Sequence, residues 1–261
     1  MRKPIRIIPV LFLKNGLIVR SKNFDFHQSL GNIIHQAERL SNWKADELIY
    51  IDISRQSNYD LGRDDLNLSN TTNIIKILTE ISKFCFMPLT FGGRIRTCEQ
   101  AVEFIRTGCD KITLNTLFFE NHNEIKQIVK YLGSQAVVAS IDYKIENNKY
   151  FVYKEFGKEN TKILLEDHIK IVEKLGAGEI LLQNIQNDGS AKGFDLTVMK
   201  KIGNIKLPVI LCSGAGNENH FVDAASNLKV SALAAGNYFN FKELSYPNVK
   251  KKLKDKNIYV R

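Results

Sequence analysis

Polar or glycine-bearing turns follow several apolar stretches of the chain, and such turns can bind phosphate. Glycine has no Cβ, so backbone N–H groups can approach an anion closely, often beside the start of a helix. The turns are Gly92-Gly93, Asn115-Thr116, Asp188-Gly189, Ser213–Gly216 and Ala235-Gly236. One such turn is a weak signal, but several together predict a substrate that carries a phosphate at each end.

Eight apolar runs must position these turns. They are nearly continuous in Ile, Val and Leu, as in parallel strands that are covered on both faces. The runs are 5–13, 47–53, 87–91, 110–114, 136–142, 179–184, 207–212 and 230–235. Helical patterns lie between most pairs of runs, at 31–43, 70–83, 98–107, 121–132 and 166–175. Strand–helix alternation of this kind predicts an α/β protein with one domain, a single (β/α)8 TIM barrel over residues 1–261.

The chain also resembles itself. AERLSNWKADELIYIDI (37–53) is similar to IVEKLGAGEILLQNI (171–185), and MPLTFGGRI (87–95) is similar to LPVILCSGA (207–215). A duplication would produce this and predicts a two-fold half-barrel repeat. The alternative is that all strand–helix units look alike.

Active sites of such barrels lie at the C-terminal ends of the strands. The polar and glycine-bearing turns fall at these ends.

Composition argues against several classes of function. The 261 residues carry a net charge of +9, but the lysines are spread along the chain without interleaved aromatic residues. We therefore expect a phosphorylated small-molecule substrate rather than nucleic acid. No apolar run approaches the roughly 20 residues of a membrane helix, and no signal peptide pattern is present, which predicts a cytoplasmic protein. The cysteines and histidines lack metal-ligand spacing, so we expect no metal and no cofactor.

Seven segments resemble, in order and spacing, the cyclase subunit of imidazole glycerol phosphate synthase. They are RIIPVL-LKNG, ADELIYIDIS, FGGRI, DKITLNT, SQAVVASIDYK, AGEILLQNIQNDGSAKGFD and PVILCSGAG. The resemblance implies a two-fold-repeated barrel that forms a heterodimer with a glutaminase, a class I glutamine amidotransferase. It further implies that ammonia passes through the barrel and attacks a bis-phosphorylated ribonucleotide. The products would be imidazole glycerol phosphate, for histidine biosynthesis, and an aminoimidazole carboxamide ribotide.

The same resemblance assigns residues at the N-terminal face of the barrel. The family closes this face with four charged residues that admit ammonia, which match Arg6, Glu47, Lys111 and Glu179. Asp110 and Gln135 match positions that face the glutaminase. The four charges sum to zero, as a buried ring requires. A structural ion-pair plug is the alternative, because residues at this face usually serve stability.

At the C-terminal face the resemblance implies a catalytic Asp142. It implies phosphate or substrate binding by Asn115, Thr116, Asp188, Gly189, Gly214, Ala235 and Gly236, with Asp52. The charge of Arg94 can bind a phosphate or carboxylate of the substrate, or the side chain can block that site. Two departures matter. Phe12 replaces the aspartate of the first strand, and Arg94 replaces a glycine that binds phosphate. The loss of one of two proton-transfer groups typically lowers the rate about 10²–10⁴-fold.

Three hypotheses follow. The first is a barrel that conducts ammonia to altered chemistry, because a divergent branch of the family also has an apolar residue in place of the first aspartate. That branch is associated with amidation of nucleotide-linked sugars for surface glycans, with a separate sugar amidotransferase as a further partner. The second is a working histidine-pathway cyclase that relies on Asp142 alone or on Asp52. The third is a scaffold without chemistry.

The resemblance also implies that the segment 21–31 is a loop that closes over the substrate.

Overall fold

The computed structural model describes residues 3–55, 59 and 73–261. Its strands are β1 (Arg6–Lys14), β2 (Leu17–Lys22), β3 (Phe26–Gly31), β4 (Leu48–Asp52), β5 (Leu89–Gly92), β6 (Lys111–Leu114), β7 (Val137–Glu146), β8 (Lys149–Lys154), β9 (Glu159–Leu164), β10 (Glu179–Asn184), β11 (Val209–Cys212) and β12 (Ala232–Ala235). Its helices are α1 (Ile33–Asn42), α2 (Ile74–Ser82), α3 (Cys98–Thr107), α4 (Leu117–Glu120), α5 (His122–Leu132), α6 (Leu165–Leu175), α7 (Val198–Lys201), α8 (Glu218–Asn227), α9 (Asn237–Phe241) and α10 (Ser245–Asp255).

Eight of these strands form a closed parallel barrel. The order is β1, β4, β5, β6, β7, β10, β11 and β12, and β12 pairs with β1 to close the circle. Helices lie between successive barrel strands, so the predicted single (β/α)8 barrel is confirmed. Each predicted run coincides with a barrel strand to within a few residues. The predicted helix 70–83 is α2, and its first three positions lie outside the described residues.

Local sequence explains where the helices begin and end. The side chains of Asn73, Thr97 and Asn121 accept hydrogen bonds from the first turns of α2, α3 and α5. These bonds satisfy N–H groups that have no partner within the helix. Gly108 and Gly176, both with positive φ, end α3 and α6. Such glycines stop a helix because they adopt the left-handed conformation without steric cost.

In each half-barrel, the first strand is followed by two antiparallel strands. Strands β2 and β3 follow β1, and strands β8 and β9 follow β7. The segment 21–31 is therefore largely hairpin and not the loop expected from the sequence. It forms strands because β1 extends far enough to pair with β2 from Phe12 to Lys14. The two repeated sequence pairs also correspond in space, since β4 and β10 are the second strands of the halves and β5 and β11 the third.

Alternation along β1 separates two cores. Ile8, Val10 and Phe12 point into the barrel, where they pack with buried residues of the other strands. Ile7 and Leu11 point outward into the layer between strands and helices. Successive strand residues face opposite sides, so Arg6 lies on the inner face directly below Ile8. Within the described part of the chain, the helices are too short or too polar to cross a membrane.

Candidate functional site

A closed ring of four charged side chains lies at the N-terminal end of the barrel interior. Arg6 Nη1 is 2.7 Å from Glu47 Oε1, and Arg6 Nη2 contacts Glu179 Oε1. Lys111 Nζ is 3.4 Å from Glu47 Oε2 and 3.0 Å from Glu179 Oε2. Positive and negative groups therefore alternate around the circle, and each carboxylate has two cationic partners within it. Outside the circle, Arg261 Nη1 is 3.9 Å from Glu47 Oε1.

Burial makes this charge balance necessary. The side chains of Glu47 and Glu179 are only 6% and 8% exposed. Burial alone would lower the pKa of Arg6, but hydrogen bonds and attraction from Glu179 and Glu47 raise it above its usual value. A carboxylate in such a position without a partner would be strongly destabilising. The structure thus brings together the four residues that the sequence singled out.

The ring opens outward into a broad concavity at the same face. Arg6, Lys111, Glu179 and the predicted partner-facing Gln135 line this concavity, which has a volume of about 1060 Å³. The second predicted partner-facing residue, Asp110, accepts a hydrogen bond from the Leu89 amide at 2.8 Å, which fixes the start of β5.

Three exposed aromatic side chains lie in the last turn of a helix or a few residues after one, which places them at the same face as the ring. Phe86 is 87% exposed, Tyr131 63% and Tyr259 64%. Large exposed aromatics are enriched at protein interfaces.

At the opposite end of the barrel, Asp142 lies at the bottom of an upper cavity of about 130 Å³. Its Oδ2 accepts a hydrogen bond from the Asn115 amide at 2.8 Å, and its Oδ1 accepts one from Gln183 at 3.2 Å. Burial raises the pKa of Asp142 to about 7, although both amides oppose that shift. The charge of Asp188 raises it further. This carboxyl group can therefore give or take a proton near neutral pH.

Phe12 occupies the end of β1 that faces the same cavity. Its ring is buried and packs edge-on against Phe24, with the centroids 5.8 Å apart. Phe12 lines the upper cavity and also a second, smaller concavity of about 30 Å³. The phenyl ring therefore lies between the two concavities and offers no group for proton transfer.

Residues of three predicted phosphate-binding turns line the smaller concavity. Asp188, Gly189, Gly214, Ala235 and Gly236 all line it. Close backbone approach explains two of the glycines: a Cβ on Gly236 would lie 2.6 Å from the carbonyl oxygen of Val10, and one on Gly214 would lie 2.0 Å from that of Gly193. The predicted residues are together, in a concavity with room for about one water molecule.

Asp188 fastens the β2–β3 hairpin to the barrel. Its Oδ2 accepts hydrogen bonds from Ser21 Oγ at 2.6 Å and from the Phe24 amide at 3.2 Å. Asn237 also holds Ser21, donating to its carbonyl oxygen at 2.6 Å. A Cβ on Gly189 would meet that same carbonyl oxygen at 2.6 Å. The hairpin is thus fixed in the position that places Phe24 against Phe12.

The remaining predicted substrate-binding residues line the upper cavity. Asn115 and Thr116 lie there with Asp52 and Arg94. Arg94 adopts a left-handed conformation with φ of 55°, which a glycine would adopt without steric cost. Its Nη2 is 3.3 Å from Asp52 Oδ2. Asp52 also accepts hydrogen bonds from Ser54 and Tyr59, so its carboxylate is engaged in a buried network.

Sequence reasoning missed several residues of the site. Gln183 binds Asp142, and Phe24 covers Phe12, but neither was singled out. Gln183 could have been found from strand periodicity, because it is on the same face of β10 as Glu179. No local signal marks Phe24, since its role depends on how the hairpin folds back.

Comparison with known proteins places this architecture in a family. The family described as "Histidine biosynthesis protein" matches residues 6–245. A protein of Hydrogenobaculum sp. named imidazole glycerol phosphate synthase subunit HisF is 34% identical over 258 residues, which cover 98% of both chains. Proteins of the same name from Campylobacter concisus and Sulfurisphaera tokodaii are each 36% identical, over 98% of this chain and 97% and 98% of their own. The chain belongs to the family of the imidazole glycerol phosphate synthase cyclase subunit.

Proposed function

We propose that this barrel receives ammonia from a glutaminase partner and delivers it for amidation of a nucleotide-linked sugar in surface glycan biosynthesis. The glutaminase binds at the N-terminal face, ammonia passes the ring of Arg6, Glu47, Lys111 and Glu179, and it travels inside the barrel to the upper cavity. A separate sugar amidotransferase uses it there. The observation that carries the proposal is a complete charged ring below an upper site in which Phe12 stands where the resemblance implies an aspartate.

Features of the N-terminal face of the barrel favour the entry of ammonia and the binding of a protein partner. The ring is the boundary between the broad outer concavity and the barrel interior, and its four charges cancel. Exposed Phe86, Tyr131 and Tyr259 supply apolar contact area around it. The relatives are named as subunits of a synthase, which agrees with a barrel that works in a complex.

The C-terminal end of the barrel favours use of the ammonia in a reaction other than ring closure of a ribonucleotide. Cyclisation as the family performs it uses two carboxylates, and paired acid and base groups need separate residues with different pKa values. Here Asp142 faces a phenyl ring. The same ring lies between the two concavities that an extended bis-phosphorylated substrate would have to span.

A turnover assay tests this proposal. The purified chain receives the bis-phosphorylated ribonucleotide with a high concentration of ammonium, which bypasses the glutaminase. We expect product formation at least about 100-fold slower than for an undiverged family member, because one of two proton-transfer groups is missing. Production of imidazole glycerol phosphate at an ordinary rate would contradict the proposal.

The second candidate function is the histidine-pathway cyclase itself. Relatives at 34–36% identity over 98% of the chain are named imidazole glycerol phosphate synthase subunit HisF, and the glycine-bearing turns of this chain line the smaller concavity. This function would require Phe12 and Phe24 to move apart and Asp142 to transfer every proton. The same assay decides between the two candidates.

A further inference from the structure

Strands β3 and β9 are the outer strands of the two antiparallel additions to the barrel, and each has a free edge. Among the described residues, β3 pairs only with β2 and β9 pairs only with β8. Along its other edge, each strand presents backbone groups that no described strand satisfies. An edge of this kind is a template for pairing with another chain, unless the sequence protects it.

The edge of β9 is protected in two ways. Its two exposed positions, Glu159 and Lys162, are both charged. The amides of Lys162 and Ile163 donate hydrogen bonds to the side chains of Asn160 and Thr161, at 2.7 and 3.2 Å. Charged side chains and local bonds to backbone groups both oppose pairing with a further strand.

The edge of β3 has neither protection. Its sequence, FHQSLG, contains no Lys, Arg, Asp, Glu or Pro, and no described side chain accepts a hydrogen bond from its amides. Phe26 and Leu30 are 58% and 36% exposed, and the register with β2 is regular from Phe26 to Ser29. Such a strand suits β-strand addition, in which an extended segment of another protein supplies main-chain hydrogen bonds and alternate side chains.

A basic concavity beside β3 indicates the charge of the occupant. Lys14, Arg55 and Lys158 line it with a single carboxylate, that of Asp25, and its volume is about 440 Å³. His27 of β3 lines it as well. Burial lowers the pKa of His27, and the charges of Lys14 and Lys158 lower it further, against the opposing effect of Asp25. The excess of positive charge is complementary to acidic side chains.

The free edge of β3 also lies beside the mouth of the upper cavity. His27, Phe24 and Phe156 line both the upper cavity and the basic concavity. A protein that pairs with β3 is therefore held next to the C-terminal end of the barrel interior. Under the proposed function, this is the end at which ammonia leaves the barrel.

We propose that β3 is the docking strand for an extended, acidic segment of the protein that uses the ammonia; this rests on the proposed function, in which that protein is the sugar amidotransferase. The segment adds to the free edge of β3, packs apolar side chains against Phe26 and Leu30, and places carboxylates in the basic concavity. A second copy of this chain is the competing occupant, but pairing of two β3 edges would bring two basic concavities together.

Binding of purified sugar amidotransferase to the immobilised complex of this chain with its glutaminase tests the proposal. Leu30→Lys places a charge on the edge and should weaken binding at least about 10-fold. Leu196→Lys is the matched control, because Leu196 is 37% exposed and follows β10 at the same end of the barrel, outside both edge strands. It should change the Kd by less than about 2-fold.

Reversal of charge in the basic concavity tests the acidic character of the segment. Lys14→Glu/Lys158→Glu should weaken binding at least about 10-fold, and wild-type binding should weaken as salt is added. The control is Lys126→Glu/Lys170→Glu, which reverses two exposed charges on α5 and α6 and should bind like wild type.

Hydrogen exchange measured by mass spectrometry tests strand pairing without any substitution. Binding of the amidotransferase should slow amide exchange in residues 26–31 and leave residues 159–164 unchanged. The proposal is overturned if residues 26–31 stay unprotected in the complex, or if Leu30→Lys and the Lys14→Glu/Lys158→Glu variant both bind like wild type. It is also overturned if sedimentation shows a dimer of this chain that Leu30→Lys dissociates.

The same proteins separate failure of the docking strand from failure of the proposed function. If glutamine-dependent amidation of the sugar persists under any of these overturning results, only the docking strand is refuted. An amidotransferase that neither binds the complex nor uses its ammonia would refute both.

Discussion

The ring of Phe12 meets the ring of Phe24 edge-on, with the ring centroids 5.8 Å apart, above the inner face of the barrel. Phe12 ends the inner face of β1, and Phe24 is held in place by the hydrogen bond from its amide to Asp188. This pair is an apolar contact beside the upper cavity and offers no group for proton transfer. It also lies where the upper cavity and the smaller concavity would otherwise join.

The aromatic pair makes a measurable contribution to stability. Phe12→Ala and Phe24→Ala should each lower the free energy of unfolding by about 3 kcal/mol, because each removes a buried ring. A double-mutant cycle in urea should give a coupling of about 1 kcal/mol, as expected for rings in edge-to-face contact. Phe26→Ala, at a side chain that is 58% exposed, is the control and should change stability by less than about 0.5 kcal/mol. A coupling of zero would mean that the two rings do not act as a unit.

Replacing two oppositely charged residues of the ring with apolar residues should destabilise the chain less than removing one carboxylate. Glu179→Ala leaves Arg6 and Lys111 with one carboxylate between them, and should lower the free energy of unfolding by about 3 kcal/mol. The double variant Lys111→Met/Glu179→Leu keeps the charge balanced and should lose less than the single variant. Asp167→Ala breaks an exposed pair with Lys170 and should cost below about 1 kcal/mol. Chemical denaturation of the four proteins decides, and equal losses for single and double variants would be inconsistent with a charge-balanced ring.

Asp142 should make stability fall as pH rises through a defined window. Its pKa is about 7 in the folded chain and about 4 in the unfolded chain, so the folded state holds the proton more tightly between these values. Stability is therefore fully present below about pH 4 and is lost as pH rises to about 7. Asp142→Asn should be more stable than wild type above about pH 7, with the difference shrinking towards acid. Thermal unfolding of both proteins across this range measures it.

His168 acts in the opposite direction and must be separated from this effect. Burial lowers its pKa to about 4, so its contribution is lost as pH falls below about 6.5. The difference between wild type and Asp142→Asn removes the common effect of His168. A difference that does not depend on pH would exclude an elevated pKa for Asp142.

Substitutions of Arg94 should reveal backbone strain in the turn that follows β5. Its φ of 55° is a conformation that glycine adopts freely and other residues adopt at a cost of about 1–2 kcal/mol. Arg94→Gly and Arg94→Ala both lose the ion pair with Asp52, but only the glycine variant relieves the strain. We expect Arg94→Gly to be more stable than Arg94→Ala by about 1 kcal/mol in urea denaturation. An alanine variant as stable as the glycine variant would show that the strain is absent.

The barrel could be predicted from local pattern, and the four charged residues at its N-terminal end from the resemblance to a family. Runs of Ile, Val and Leu that alternate with helical segments predict the strands, and Arg6, Glu47, Lys111 and Glu179 all stand at or just before strand starts. Parallel strands begin at the same end of a barrel, so charges at those positions must meet.

The upper site was less predictable because it depends on contacts between distant segments. The hairpin that carries Phe24 was expected to be a loop, and its attachment to Asp188 joins residues far apart in the chain. Asp188 was assigned to the substrate, yet in the structure its carboxylate holds Ser21. The pairing of Arg94 with Asp52 likewise depends on a backbone conformation that no local pattern predicts for arginine.

Isotope dilution can show whether ammonia from glutamine travels through the barrel. The complex of this chain with its glutaminase and sugar amidotransferase receives glutamine with a labelled amide nitrogen, together with unlabelled ammonium in the solvent. We expect the amidated nucleotide sugar to keep nearly all of the label in the wild-type complex and to lose it in Lys111→Ala, where the ring is broken. Equal dilution of the label in both complexes would rule out a route through the barrel.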